Sequence, residues 1–162
     1  MGVRNCGELG INLQKIVSRL MANQDLVKLL YYTDNDPLSG KDLSEDEKQN
    51  NIFNKLIRII PNVGEKDTSN SIIVVFIARS EQNSNKEFNN IVINIDVYTP
   101  LTQWIIKDSN LRPFATMGKI EESLNHKTVN GLGKIQCGDF DLILLTEDIS
   151  CYRMPISITT YD

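Results

Sequence analysis

Two stretches in the middle of the chain restrict its fold most. Ser71 to Arg79 reads SIIVVFIAR, a β-branched and aromatic run without helical periodicity, which predicts a strand buried on both faces for part of its length. After a polar stretch from Ser80 to Glu87, Ile91, Ile93, Ile95 and Val97 alternate with Val92, Asn94, Asp96 and Tyr98. That is the period-two pattern of a strand with one buried face. A polar connection of about ten residues suits a long hairpin better than a crossover, so the two strands are expected to pair antiparallel.

Helical patterns lie on either side. Leu9, Leu13, Ile16, Val17 and Leu20 fall on one face of an amphipathic helix. Asn23 or Asp25 can cap a second helix carrying Leu26, Leu29 and Leu30 up to Tyr31 and Tyr32. Asp34 to Lys48 is acidic and polar, punctuated by Pro37 and Gly40, and reads as a solvated loop. Ser44 and Glu47 have capping-box spacing, which predicts a helix through Ile52, Phe53, Leu56 and Ile57 that ends before Pro61. Beyond Pro100, a short segment with Trp104, Ile105 and Ile106 leads to Pro113, which suits the first turn of a helix running to about Asn125. Phe114, Met117, Ile120 and Leu124 are its expected buried stripe. A turn at Asn130, Gly131 and Gly133 opens a last pair of strands, roughly Lys134 to Leu145 and Cys151 to Thr160. Pro155 interrupts the second of these and predicts a sheet edge or a bulge there, because proline cannot donate to a ladder.

The expectation is one α+β domain over residues 1–162, with a helical part and acidic loop in 1–60 and hairpin, helix, hairpin in 71–162. Its sheet is expected to be four-stranded and mostly antiparallel, with helices on one face. A hydrophobic content of 41% in 162 residues suffices for a real core.

Composition narrows the function. A net charge of -4 and a pI near 5.1 argue against a free-standing binder of nucleic-acid phosphates. No stretch approaches the roughly 20 apolar residues of a membrane helix, and the N-terminus lacks signal-peptide character, so a cytoplasmic site of synthesis and no membrane partner are expected. Cys6, Cys137 and Cys151 are far apart and form no CxxC pair, which gives a disulfide framework or thiolate zinc site little support.

Catalytic patterns are incomplete. His126 is the sole histidine, too few for a two-histidine metal site. Asn130 to Lys134 has glycines and a lysine but lacks the phosphate-loop spacing and its hydroxyl, so a β-turn explains it more simply. Asp34, Asp36 and Glu45 suggest a calcium loop, yet Leu38 and Ser39 stand where an oxygen ligand and the turn glycine belong. Asp139, Asp141, Glu147 and Asp148 are the remaining acid-base or metal candidates; Asp139 and Asp141 share a period-two face and read as the outer side of a strand. The expectation is a non-enzymatic protein without metal or cofactor.

Four pieces of sequence, in this order and spacing, resemble the small neck proteins of tailed bacteriophages. They are Asp36-Pro37-Leu38, the segment Arg58 to Pro61, Leu111-Arg112-Pro113 leading to Ser123-Leu124-Asn125, and Gly131 to Lys134. The resemblance runs over most of the chain and implies a tail-terminator or head-to-tail joining subunit of the virion neck. It implies a homo-oligomeric ring, hexameric by preference and dodecameric in a head-side connector, with portal or connector and tail-tube or sheath proteins as neighbours. Genomic DNA would pass through the centre, where an acidic lining would avoid holding its phosphates. On this reading the candidate subunit-interface residues are Asn83, Asn85, Lys86 and Glu87 in a projecting hairpin loop, Pro155 and Ile156 on an incompletely paired strand, and Arg112 at a helix start. Arg112 is read as an intersubunit ion-pair partner or a solvated side chain. The alternatives are a head-side connector, a small phage-encoded protein directed at the host, and a divergent enzyme using the acidic cluster.

Overall fold

A computed structural model describes residues 6–59, 69–82, 88–129 and 133–159. Helix α1 (Cys6–Met21) buries Leu13, Ile16, Val17 and Leu20, as its spacing dictates. Helix α2 (Gln24–Tyr31) starts at Asn23, whose side-chain oxygen accepts from the Leu26 backbone N–H at 3.2 Å. In the loop that follows, the Tyr32 hydroxyl donates to the Lys41 carbonyl at 2.9 Å. A Cβ on Gly40 would lie 2.2 Å from the Tyr32 ring, so this close approach requires glycine.

Helix α3 (Glu45–Asn51) carries the expected capping box: the Ser44 N–H donates to Glu47 Oε2 at 2.7 Å, and the Glu47 N–H donates to Ser44 Oγ at 3.2 Å. The helix stops earlier than its apolar residues suggest. Asn54 takes a left-handed conformation (φ 56°), which asparagine tolerates better than most residues, and the chain turns. Ile57 and Arg58 then form β1 (Ile57–Arg58), parallel to β2 (Ile72–Gln82). The β-branched side chain that was expected on a helix joins the sheet instead.

Strand β2 pairs antiparallel with β3 (Phe88–Pro100), as the two central patterns require. A small ladder follows, β4 (Ile105–Ile106) with β5 (Asn110–Leu111), and leads into α4 (Arg112–Leu124) with proline in its first turn. The chain closes with β6 (Thr128–Val129), β7 (Gly133–Cys137), β8 (Asp141–Leu145) and β9 (Ile149–Thr159).

These strands correct the expected four-stranded, mostly antiparallel sheet. The class is α+β, but the nine described strands divide into a seven-stranded mixed sheet curled into a half-barrel and the two-stranded β4–β5 ladder. The principal order is β1-β2-β3-β9-β7-β6, with β8 also paired to β9. Most of the added strands are two residues long, too short to carry a periodicity in sequence. One face of the sheet, with Ile73, Val75, Ile93, Ile95, Met154 and Ile156, packs against the stripes of α1, α2 and α4 to make the core. Full burial of each such side chain contributes roughly 2 kcal/mol.

Strand β9 is not an edge. It pairs with β3 along one side and with β7 and β8 along the other. Pro155 is accommodated because the strand beside it breaks at Gly138 to Phe140. Its carbonyl accepts from the Gly138 N–H at 2.8 Å, and the nitrogen and carbonyl of one strand residue point to the same side. The missing donor therefore faces the break and leaves the β3 ladder intact. A Cβ on Gly138 would come within 3.1 Å of that carbonyl.

Candidate interaction surface

Beyond the break at Gly138 the sheet presents an apolar strand to solvent. Strand β7 is flanked by the segment leaving α4: the His126 N–H donates to the Ile135 carbonyl, the Ile135 N–H to the Lys127 carbonyl, and the Cys137 N–H to Asn125 Oδ1. That cover stops before β8. Strand β8 pairs with β9 through Asp141 opposite Arg153, Leu142 opposite Tyr152, Leu144 opposite Cys151 and Leu145 opposite Ser150, and among the described residues no strand pairs with its other side. Leu142, Ile143, Leu144 and Leu145 are 42 to 61% exposed. An irregularity between Leu142 and Leu144 places Ile143 out of register, which twists the strand without hiding it.

Rings extend this apolar edge onto the helical side. Tyr152 packs against Phe114 of α4 at 5.3 Å between centroids, against Phe140 at 5.8 Å and against Trp104 at 6.2 Å, while Phe114 and Phe140 are 5.9 Å apart. These separations are typical of favourable aromatic pairs. Phe114, expected in the core, faces this cluster and is partly solvent-exposed, while Pro113 and Thr116 are buried instead. Asp139, Asp141, Glu147 and Asp148 are all exposed at the two ends of the strand. Asp139 lies in the break and Asp141 begins β8, so they do not form the regular strand face expected of them.

The opposite face of the sheet carries a second polar group. Arg153 and Asp96, directly opposed on β9 and β3, form two hydrogen bonds of 2.8 and 2.9 Å, and the guanidinium lies 5.4 Å from the Phe76 ring centroid. Beside them Tyr98 opposes Cys151. Burial, with a smaller contribution from neighbouring Asp96, pushes the Cys151 thiol up to about 12. Burial first, and then Cys151, raises the Tyr98 phenol to about 12. Both shifts favour the neutral forms, which lowers the thiolate fraction of Cys151 at neutral pH.

Arg112 is placed differently from either sequence expectation. It is 0% exposed, so it is not a solvated side chain. Its guanidinium donates to the carbonyls of Gln103 (2.9 Å), Leu29 (2.7 Å), Tyr32 (2.9 Å) and Asp34. Leu29 and Tyr32 lie at the C-terminal end of α2, where unpaired carbonyls and the helix dipole favour a cation. Arginine thus joins α2, the acidic loop and the start of α4 within one chain.

The other candidates are dispersed. Pro155 is half-buried, Ile156 is buried in the core, and both sit on β9, which pairs with β3 along its whole length. Asn83, Asn85, Lys86 and Glu87 lie outside the described residues, as do Asn130 to Leu132 of the glycine turn. Asp34 Oδ1 accepts from the Asp36 N–H, and Asp36 pairs with Lys107 at 3.4 Å. His126 is exposed with φ 60°. Among the described residues no group of three or more His, Cys, Asp or Glu side chains gathers where a metal ion would fit.

Sequence reasoning missed the β8 edge although it read the segment as a strand. The signal lay in Leu142 to Leu145, a run of consecutive apolar residues bounded by acids, where a half-buried strand would alternate. Comparison with known proteins bears on this surface through the family alone. No curated protein matches the chain. The YomW family model matches residues 23–158, a span that includes the whole of β8 and its aromatic surroundings. With most of its length matched, the chain belongs to the YomW family, a phage-derived family, and is a phage-related protein.

Proposed function

We propose that this protein is a structural, non-enzymatic subunit of the neck of a tailed phage, assembling into a ring that ends the tail, joins it to the head connector and leaves a central passage for DNA. The observation that carries this reading is the β8 edge. An exposed apolar strand edge is an aggregation hazard that monomeric proteins blunt with charge, proline or a covering element. Here the strand positions Leu142 to Leu145 are all apolar and uncovered by the described residues, and rings from two further elements enlarge the patch. Assembly covers such an edge, and a ring covers it in every copy. The phage origin of the family and the four neck-like sequence pieces support the location. The proposed partners are further copies of the chain, portal or connector proteins and tail-tube or sheath proteins, within the virion.

Negative-stain imaging of the purified chain tests the reading. Closed rings of uniform diameter are expected. A protein that stays monomeric at all concentrations and also fails to bind purified tails contradicts it.

A further inference from the structure

Self-association can use β8 in two ways, and the charges around it separate them. If β8 met β8 of a second copy about a two-fold axis, an antiparallel pairing centred on Ile143 would set Asp139 opposite Glu147 of the other copy, twice. Like charges directly opposed across strands are destabilising. An acid-flanked apolar strand is better received by an apolar surface with basic flanks.

The chain has such a surface elsewhere. A groove of about 670 Å³ runs between the outer side of α1 and β6, lined by Ile11, Lys15, Arg19, Ala22, Thr128 and Val129. Ile11, Lys15 and Arg19 are spaced four apart and fall on one helix face. Ile11 is 62% exposed, a large apolar side chain left in water, and Arg19 in the same groove is also exposed. Among the described residues β6 pairs only with β7, so its outer side offers backbone donors and acceptors to an incoming strand. Lys127 and Lys134, also exposed, add positive charge at this end.

The two surfaces lie at opposite ends of β9. Lys134 at the start of β7 pairs with Thr159, and β8 sits beside Ser150 to Arg153, roughly 20 to 30 Å away at the rise of a strand. They cannot meet within one chain. We infer that the acid-flanked β8 edge of one copy docks into the basic α1–β6 groove of the next, a head-to-tail contact in which each subunit gives one surface and receives the other. A contact of this type propagates from copy to copy and closes into a ring when its rotation allows. The inference rests on the assembling-subunit reading above and assigns the surfaces that reading leaves open.

Sedimentation of the full chain and of two surface variants is the test. The variant Ile143→Lys with Leu145→Lys disables the edge; Arg19→Glu with Lys127→Glu disables the groove. Each alone is expected to sediment as a monomer with unchanged circular dichroism. Mixed, they are expected to form a one-to-one heterodimer, because one supplies an intact groove and the other an intact edge. A third chain, carrying Asp141→Lys and Glu147→Lys together with the groove reversal, is expected to regain assembly through exchanged charges. If oligomers form but the groove variant leaves them unchanged, or if the mixed variants stay monomeric, the head-to-tail contact is wrong while the subunit reading stands. A wild-type chain that never associates overturns the contact, and one that also fails to bind purified tails overturns the subunit reading as well.

Discussion

At the scale of single residues, Arg112 shows how a charge that looks external can be structural. Among the described residues its hydrogen-bond partners are backbone carbonyls and not carboxylates, and those carbonyls would lose their donor if the side chain changed. Burial lowers its pKa, but a guanidinium stays charged in proteins. Lysine keeps the charge without the planar fork that reaches several acceptors at once. Arg112→Lys is therefore expected to cost about 3 kcal/mol in a urea unfolding measurement, the scale of breaking a buried charged network. A loss below about 0.5 kcal/mol, typical of surface substitutions, would show that the carbonyls find other partners.

The cysteines permit a second prediction at this scale. Cys6 is exposed, Cys137 is half-buried and Cys151 is buried. Burial raises Cys137 to about 11 and Cys151 to about 12. A thiol-specific reagent is expected to modify Cys6 alone in the native chain and all three after unfolding. The same shifts fix a sign with pH. Between the unfolded thiol value and the raised folded values the native chain holds protons that the unfolded chain releases, so stability falls as pH rises through this window. Tyr98, raised to about 12, acts in the same direction. The denaturation midpoint is expected to be lower at about pH 10.5 than at about pH 8; an unchanged midpoint would mean that these groups ionise freely in the fold.

At the scale of elements, the break between β7 and β8 is tied to Pro155. Proline in a central strand is tolerable where the neighbouring strand has no bond to offer it, and Gly138 supplies both the close approach and the turn away from the ladder. Gly138→Val adds a branched side chain against the Pro155 carbonyl and ring. It is expected to destabilise the chain by roughly 1 to 3 kcal/mol, the cost of overpacking, and to speed amide exchange in β8 before the rest of the sheet. Uniform protection across β8 and β9 in that variant would separate the break from the proline.

The same elements show what the sequence could convey. The α1 stripe, the Asn23 cap, the Ser44 and Glu47 box and the β2–β3 hairpin were legible because each depends on neighbours in sequence. Strand β1 was not: Ile57 has the apolar character of a helix continuation, and only its partner Ile73, distant in sequence, makes it a strand. The position of β9 was missed for a similar reason. Pro155 was read against a generic ladder, whereas the gap that receives it belongs to another strand.

At the scale of the whole molecule, the half-barrel leaves two unlike surfaces at opposite ends of its central strand, one apolar with acidic flanks and one basic with an exposed isoleucine. Neither surface was legible as a site, since exposure is decided by which strands find partners in the completed sheet. Of the contacts proposed from sequence, Arg112 and Ile156 are buried in the subunit and Pro155 is half-buried, whereas the exposed edge gives assembly a physical reason to occur. The most direct measurement is quantitative mass spectrometry of purified virions from a phage that encodes this chain. A structural neck subunit is predicted to be present in fixed proportion to the portal protein and to remain after stringent washing. A chain abundant in infected cells but absent from the particles would contradict the account.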